Sequence, residues 1–254
     1  MRVVGLLLAL ASTDALAWEK FPPGESWDWQ LTEPIDLERK VAVLDLHPDL
    51  VDADAVRALQ ARGVKTICYV SVGTLEKTSP DRDRFPKEVV GKVYGDWPDE
   101  RFLDIRRLDV LLPLMKARFS ACKALGFDAV EPDNMDVHEN ESGFPINEEH
   151  VASYVLALAG IAHEAGLAIG QKNVPELTRK LVVSLDFAIA ESCFQDGWCD
   201  ALAPYVAAGK AVFAAEYSDR PLDLTAACRA ARALDISMIV KDRDLTRETR
   251  ACPD

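Results

Sequence analysis

Short apolar runs recur along the chain at residues 41–46, 66–70, 102–105, 127–130, 167–170, 187–190, 211–215 and 237–240, each of strand length. Amphipathic stretches lie between most of them. The clearest helix begins after Asn147, a good N-cap followed by two glutamates. Val151, Tyr154, Val155, Leu158 and Ile161 then fall on one face, and Gly166 stands just beyond the end. Residues 55–61 with Gly63, and 111–125 with Gly126, repeat the same cadence of helix, glycine and strand. Met115 and Phe119 in the latter read as core. Strands alternating with helices in this way predict an α/β fold, a single (β/α)8 TIM-type barrel. An open doubly wound sheet is the second choice, but the first βα turn carries no Gly-x-Gly-x-x-Gly. The helix-free stretches 73–101 and 135–146 both leave strand C-terminal ends, where a barrel builds its site.

Residues 1–17 read as a cleavable signal peptide: Arg2, an apolar core over 3–10, and Ala15-Leu16-Ala17 as the cleavage site. The run is too short to anchor in a bilayer, so residues 18–254 are expected as one exported catalytic domain, secreted or periplasmic, without membrane association. Removing one Arg and one Asp leaves the formal charge of −13 unchanged. Such a surface repels nucleic acid and attracts cationic partners. All six cysteines follow the leader, and an even count in an exported chain favours disulfides. Cys193 and Cys199 could close a small loop, and Cys228 and Cys252 could pin the C-terminal tail. Cys68 and Cys122 would remain, paired or as buried thiols. Zinc is the competing reading, but there is no Cys-x-x-Cys, and His47, His138, His150 and His163 lack ligand spacing, so no metal is expected. Asn140-Glu-Ser142 is a glycosylation sequon, relevant in a eukaryotic host.

Polar residues stand at every predicted strand exit: Asp45; Tyr69 and Ser71; Asp104 and Arg106; Glu131 and Asp133; Lys172 and Asn173; Glu191; Glu216 and Tyr217; Lys241 and Asp242. A purely structural barrel has no need of so many charges at one rim. Glycosidic cleavage needs a proton donor and a second carboxylate. Glu131 and Asp133 lie two apart in an extended segment and so point the same way. Their repulsion would raise one carboxyl, while Lys172 could hold the other ionised.

Glu131-Pro-Asp-Asn-Met-Asp136, preceded by Gly126-Phe-Asp, resembles the signature of glycoside hydrolase family 114, the endo-α-1,4-polygalactosaminidases and their spherulin-like relatives. Further segments agree: Trp27-Asp-Trp-Gln-Leu31, Cys68-Tyr-Val-Ser-Val-Gly73, Phe102-Leu-Asp-Ile-Arg106, Gly170-Gln-Lys-Asn173, Glu191-Ser-Cys-Phe194 and Glu216-Tyr217. Ala129 and Met135 depart from the family's usual Gly and Val without removing a charged group, whereas Val174 stands where the family often has Asp and takes away one polar subsite contact.

The resemblance implies a secreted, metal-free barrel that cleaves α-1,4-linked galactosamine polymers, with Asp133 as nucleophile and Glu191 as general acid/base. It places Asp45, Tyr69, Arg106, Glu131, Lys172, Asn173, Glu216 and Tyr217 along the sugar subsites. Trp27 and Trp29 are candidates for stacking on sugar faces, with core packing as the alternative. The expected partner is a cationic amino-sugar polysaccharide, bound by a monomer. Two rival readings are a carbohydrate-binding barrel without turnover and a glycosidase of the same fold acting on another hexosamine polymer.

Overall fold

The protein is described by a computed structural model covering residues 18–95 and 97–253; the expected leader, 1–17, lies outside the described residues. The chain runs through β1 (Trp27–Gln30), β2 (Val43–Leu46) and β3 (Lys65–Ser71). It then leaves for a separate antiparallel sheet of β4 (Thr74–Glu76), β5 (Val90–Tyr94) and β6 (Trp97–Leu103). It returns as β7 (Ala129–Asp133), β8 (Ala168–Lys172), β9 (Phe187–Glu191), β10 (Val212–Tyr217) and β11 (Ser237–Lys241). These eight strands, without the excursion, pair in parallel in chain order, which is the expected barrel. A short β12 (Thr249–Ala251) pairs antiparallel with the free edge of β11.

Two strand expectations need correction. Residues 102–105 do not form a barrel strand; Phe102 and Leu103 end β6, whose partners are β4 and β5. Leu103 is fully buried, so the run is apolar for packing rather than for barrel pairing. The eighth parallel strand is β1, in a Pro- and Gly-flanked segment that none of the predicted strand runs covers. Its alternation sends Trp27 and Trp29 into the barrel. Asp28 and Gln30 are buried on the other side, bonded to each other at 2.9 Å.

The seam between β1 and β11 is joined by side chains. The Trp27 indole donates to the Ser237 carbonyl at 2.9 Å, and Lys241 lies 3.1 Å from Asp28 and 2.7 Å from the Thr249 hydroxyl. Within the barrel, Trp27, Val43, Ile67, Ala129, Phe187 and Phe213 form a dry lower core, closed from below by Phe21.

Around the barrel lie α1 (Ala53–Ala61), α2 (Leu108–Leu125), α3 (Glu148–Glu164), the short α4 (Thr178–Leu181), α5 (Cys193–Asp196) and α6 (Ala203–Ala207), and α7 (Leu224–Leu234). Asn147 caps α3 by accepting from the His150 amide at 3.1 Å, and Gly126 ends α2 at φ +103°. Disulfides join Cys68 to Cys122, tying β3 to α2, Cys193 to Cys199 across α5, and Cys228 of α7 to Cys252 beside β12. All six thiols are thereby consumed, which removes the thiolates a zinc site would use. No helix among the described residues is long and apolar enough to cross a membrane.

Candidate active site

Three neighbouring strands end in sharp turns, and each turn follows a polar side chain. After Asp133 comes Asn134 at φ +61°; after Lys172 come Asn173 and Val174 at +49° and +45°; after Glu191 comes Ser192 at +55°. Left-handed backbone is unfavourable for non-glycine residues, most of all for a β-branched valine. Three such breaks together mark a place where the fold holds strain of about 1–3 kcal/mol each, as functional sites do.

Lys172 is the hub. It is 1 % exposed, and its ammonium lies 2.6 Å from Asp133 Oδ1, 2.8 Å from Glu131 Oε1 and 3.3 Å from Glu191 Oε2. Below it the Trp29 ring centroid is 4.5 Å away. Burial opposes the charge on Lys172, but Asp133, Glu131 and Glu191 outweigh it and hold the amine well above its ordinary pKa. Burial also pushes the Asp133 carboxyl up; the Lys172 charge, with hydrogen bonds from Lys172, Tyr69 and the Asn134 amide, brings it below the usual range. Tyr69 reaches Asp133 Oδ2 at 2.8 Å.

Glu191 is more open, with 28 % of its side chain exposed. Asn173 clamps it reciprocally: its amide donates to Glu191 Oε2 at 3.0 Å, and its oxygen accepts from the Glu191 backbone at 2.9 Å. The Tyr217 hydroxyl donates to the other carboxylate oxygen. The two distances from Lys172 keep the nearest Asp133 and Glu191 oxygens within about 6 Å of each other, which accommodates the ~5–5.5 Å carboxyl separation of retaining glycosidases.

Both carboxyls open into a cleft of about 280 Å³ at the C-terminal mouth of the barrel. Its walls carry six carboxyls, Glu76, Glu100, Asp133, Asp136, Glu191 and Asp244, against Lys172 and Arg243. Burial raises Glu100 to about 7 despite a hydrogen bond from Thr74, with Glu76 and Asp133 adding to the rise. Burial, then the charges of Asp133 and Glu191, raise Asp136 to about 6. Overhanging the cleft is Trp97 of β6, 48 % exposed.

Of the twelve residues singled out in the sequence, Asp133, Glu191, Lys172, Asn173, Tyr69, Tyr217 and Trp29 line this cleft. The other five do not. Glu131 and Asp45 are fully buried beneath Lys172, out of reach of a sugar. Glu216 faces away from Tyr217, out of the barrel, and accepts the Phe194 and Gln195 amides at 3.0 and 2.9 Å, fixing α5 behind Glu191. Arg106 forms a forked pair with Asp104 at 2.7 and 2.8 Å, because the segment carrying it leaves the rim with β6. Trp27 is core, its indole spent on the seam.

Sequence reasoning missed Glu76, Tyr94, Trp97, Glu100 and the role of Asp136. The first four come from the 73–101 excursion, which was recognised as a site-building stretch without its residues being assigned. A tryptophan among acids, Trp97-Pro-Asp-Glu100, was the available signal.

Comparisons with known proteins give this fold a family. The model of glycoside-hydrolase family GH114 matches residues 8–254. Among solved structures, Ega3 of Aspergillus fumigatus in complex with galactosamine superposes with a TM-score of 0.87 at 29% identity, covering 93% of this chain and 98% of that one. The glycoside hydrolase domain of PelA from Pseudomonas aeruginosa shares the fold, with a TM-score of 0.70, 16% identity, and coverage of 90% and 99%. No curated protein matches the chain.

Proposed function

The chain belongs to glycoside-hydrolase family GH114, and from that premise we propose that it is an endo-acting hydrolase of α-1,4-linked galactosamine polymers. The observation that carries this reading is a carboxyl pair bridged by one buried lysine, set in an acid-lined cleft. Asp133, kept ionised by Lys172 and Tyr69, attacks the anomeric carbon. Glu191 protonates the departing oxygen, then takes a proton from the water that hydrolyses the glycosyl ester. The spacing favours retention, so NMR of early product should find the α-anomer first; β-anomer first would assign inversion.

The substrate class follows from charge. Deacetylated galactosamine is cationic, and the acid-lined cleft would concentrate it, the more so as Glu100 and Asp136 ionise, where a neutral polymer gains nothing. Galactosamine bound to Ega3 supports the same class. Trp97 offers the exposed ring for sugar stacking that Trp27 and Trp29 do not. Three disulfides and the leader-like residues 1–17 support export.

The test is reducing-end release by the wild type from deacetylated galactosaminogalactan, with chitosan and chitin alongside. Short oligosaccharides from the first polymer alone are expected. Binding without release would favour a carbohydrate-binding barrel. Equal cleavage of chitosan or chitin would favour another hexosamine polymer as substrate.

A further inference from the structure

One layer below the catalytic carboxyls, Asp45 and Glu131 project into the barrel from β2 and β7, both 0 % exposed. Glu131 Oε1 takes one Lys172 proton, but Glu131 Oε2 and both oxygens of Asp45 meet no N–H or O–H donor among the described residues. The two carboxyls face each other inside the barrel. Ionised carboxylates only accept, so a hydrogen bond between these two requires a proton on one of them. Lys172 is already divided among three acids, and a fourth buried anion without a donor would carry a large desolvation cost.

We propose that Asp45 is a neutral acid that donates its proton to Glu131 Oε2, so that Glu131 keeps its charge, anchors Lys172 from below and thereby sets the alkaline limb of the enzyme's pH profile. Both are positioning residues, since neither touches the sugar. The inference rests on Asp133 and Glu191 being the catalytic pair.

The charged and titratable groups facing this pair are few. They are Tyr69 of β3, Asp133 of β7, Lys172 of β8 and Glu191 of β9, with Tyr217 of β10 beyond Glu191. From β1 comes the Trp29 ring, and Lys241 of β11 is committed to Asp28 in the seam. Burial, and then the charge of Glu131, push the Asp45 carboxyl well above its ordinary range.

The alkaline limb of kcat/KM reports the proton on the free enzyme's general acid. Asp45→Asn exchanges one neutral donor for another, so that limb should stay in place, within about 0.3 pH units, although the rate falls a few-fold. Glu131→Gln removes an anion beside Glu191 and releases Lys172 toward it; the limb should move down by about one unit or more. Asp45→Ala leaves Glu131 to take up a proton itself, and should move the limb the same way. KM should change by less than about 2-fold throughout, as for residues outside the subsites.

A shift in Asp45→Asn as large as in Glu131→Gln would overturn the proposal, because Asp45 would then be charged. Three unmoved limbs would also overturn it. A second readout does not depend on which residues catalyse: the infrared band of a protonated carboxyl should persist into the alkaline range and vanish in Asp45→Asn but not in Glu191→Gln. A band that Asp45→Asn leaves intact would contradict the proposal whatever the site assignment.

Discussion

Lys172 donates to Glu131 and Asp133 and lies 3.3 Å from Glu191, so its charge is shared by three acids. Replacing it by methionine would strand three acids around an uncharged stem. Breaking a buried ion pair from one side costs about 3–5 kcal/mol, so Lys172→Met should lower stability by that order, read by urea unfolding. Asp133 would lose the charge that holds it ionised, so activity should fall by at least ~10²-fold even where the variant is folded. Trp97 makes a contrasting case. It is half exposed and holds no catalytic group, so Trp97→Ala should raise KM on the polymer up to ~10-fold, as for a lost stacking contact, and leave kcat nearly unchanged.

The β4–β5–β6 excursion brings Glu76, Tyr94, Trp97 and Glu100 over the barrel mouth, and its attachment to β7 is close. The Val72 and Gly73 amides donate to the Asp133 carbonyl at 3.0 and 3.3 Å, and Leu103 returns to the Gly73 carbonyl at 2.8 Å. A Cβ at Gly73 would lie 1.7 Å from the Asn134 carbonyl oxygen, a contact that only backbone movement can relieve. Gly73→Ala should therefore displace the chain on both sides of Asp133 and cost several kcal/mol, about 3 or more, with activity lost in the folded fraction; calorimetry with an activity assay reads both. Much of this architecture was legible in advance. Seven of the eight barrel strands are apolar runs bounded by helices, and Asp133, Lys172 and Glu191 stand where those runs end. The misplaced elements share one cause: pattern registers burial, not partner. Leu103 is as buried as a barrel residue, so its run looked like a strand of the barrel. Trp27-Asp-Trp-Gln30 alternates as a strand should, but proline and glycine around it obscured the signal. For the same reason Glu131, Asp45 and Glu216 read as site residues from their strand ends, although only pairing and facing decide whether a side chain meets the cleft.

Across the whole molecule, the acids that make the cleft also set how stability varies with pH. Glu100 and Asp136 titrate at about 7 and about 6 in the fold, above their ordinary values of 4.5 and 3.8. Between those limits the folded chain binds more protons than the unfolded one, so stability falls as pH rises through that window. Asp81, Asp104 and Asp133 are lowered, which adds stability above their ordinary range and forfeits it as pH falls below. The ligand-free protein should thus melt highest near pH 4.5–5 and lower toward pH 8, and Glu100→Gln should flatten the decline. Bound amino sugar should restore stability in that decline, since its ammonium meets the acids just as they ionise.

The most direct measurement is reducing-end release from deacetylated galactosaminogalactan by wild type, Asp133→Asn and Glu191→Gln, each shown to be folded by circular dichroism. Cleavage by wild type, lost by at least ~10³-fold in both variants, is the expected result. Near-full rate in either folded variant would contradict the assignment of Asp133 and Glu191 as the pair that breaks the glycosidic bond.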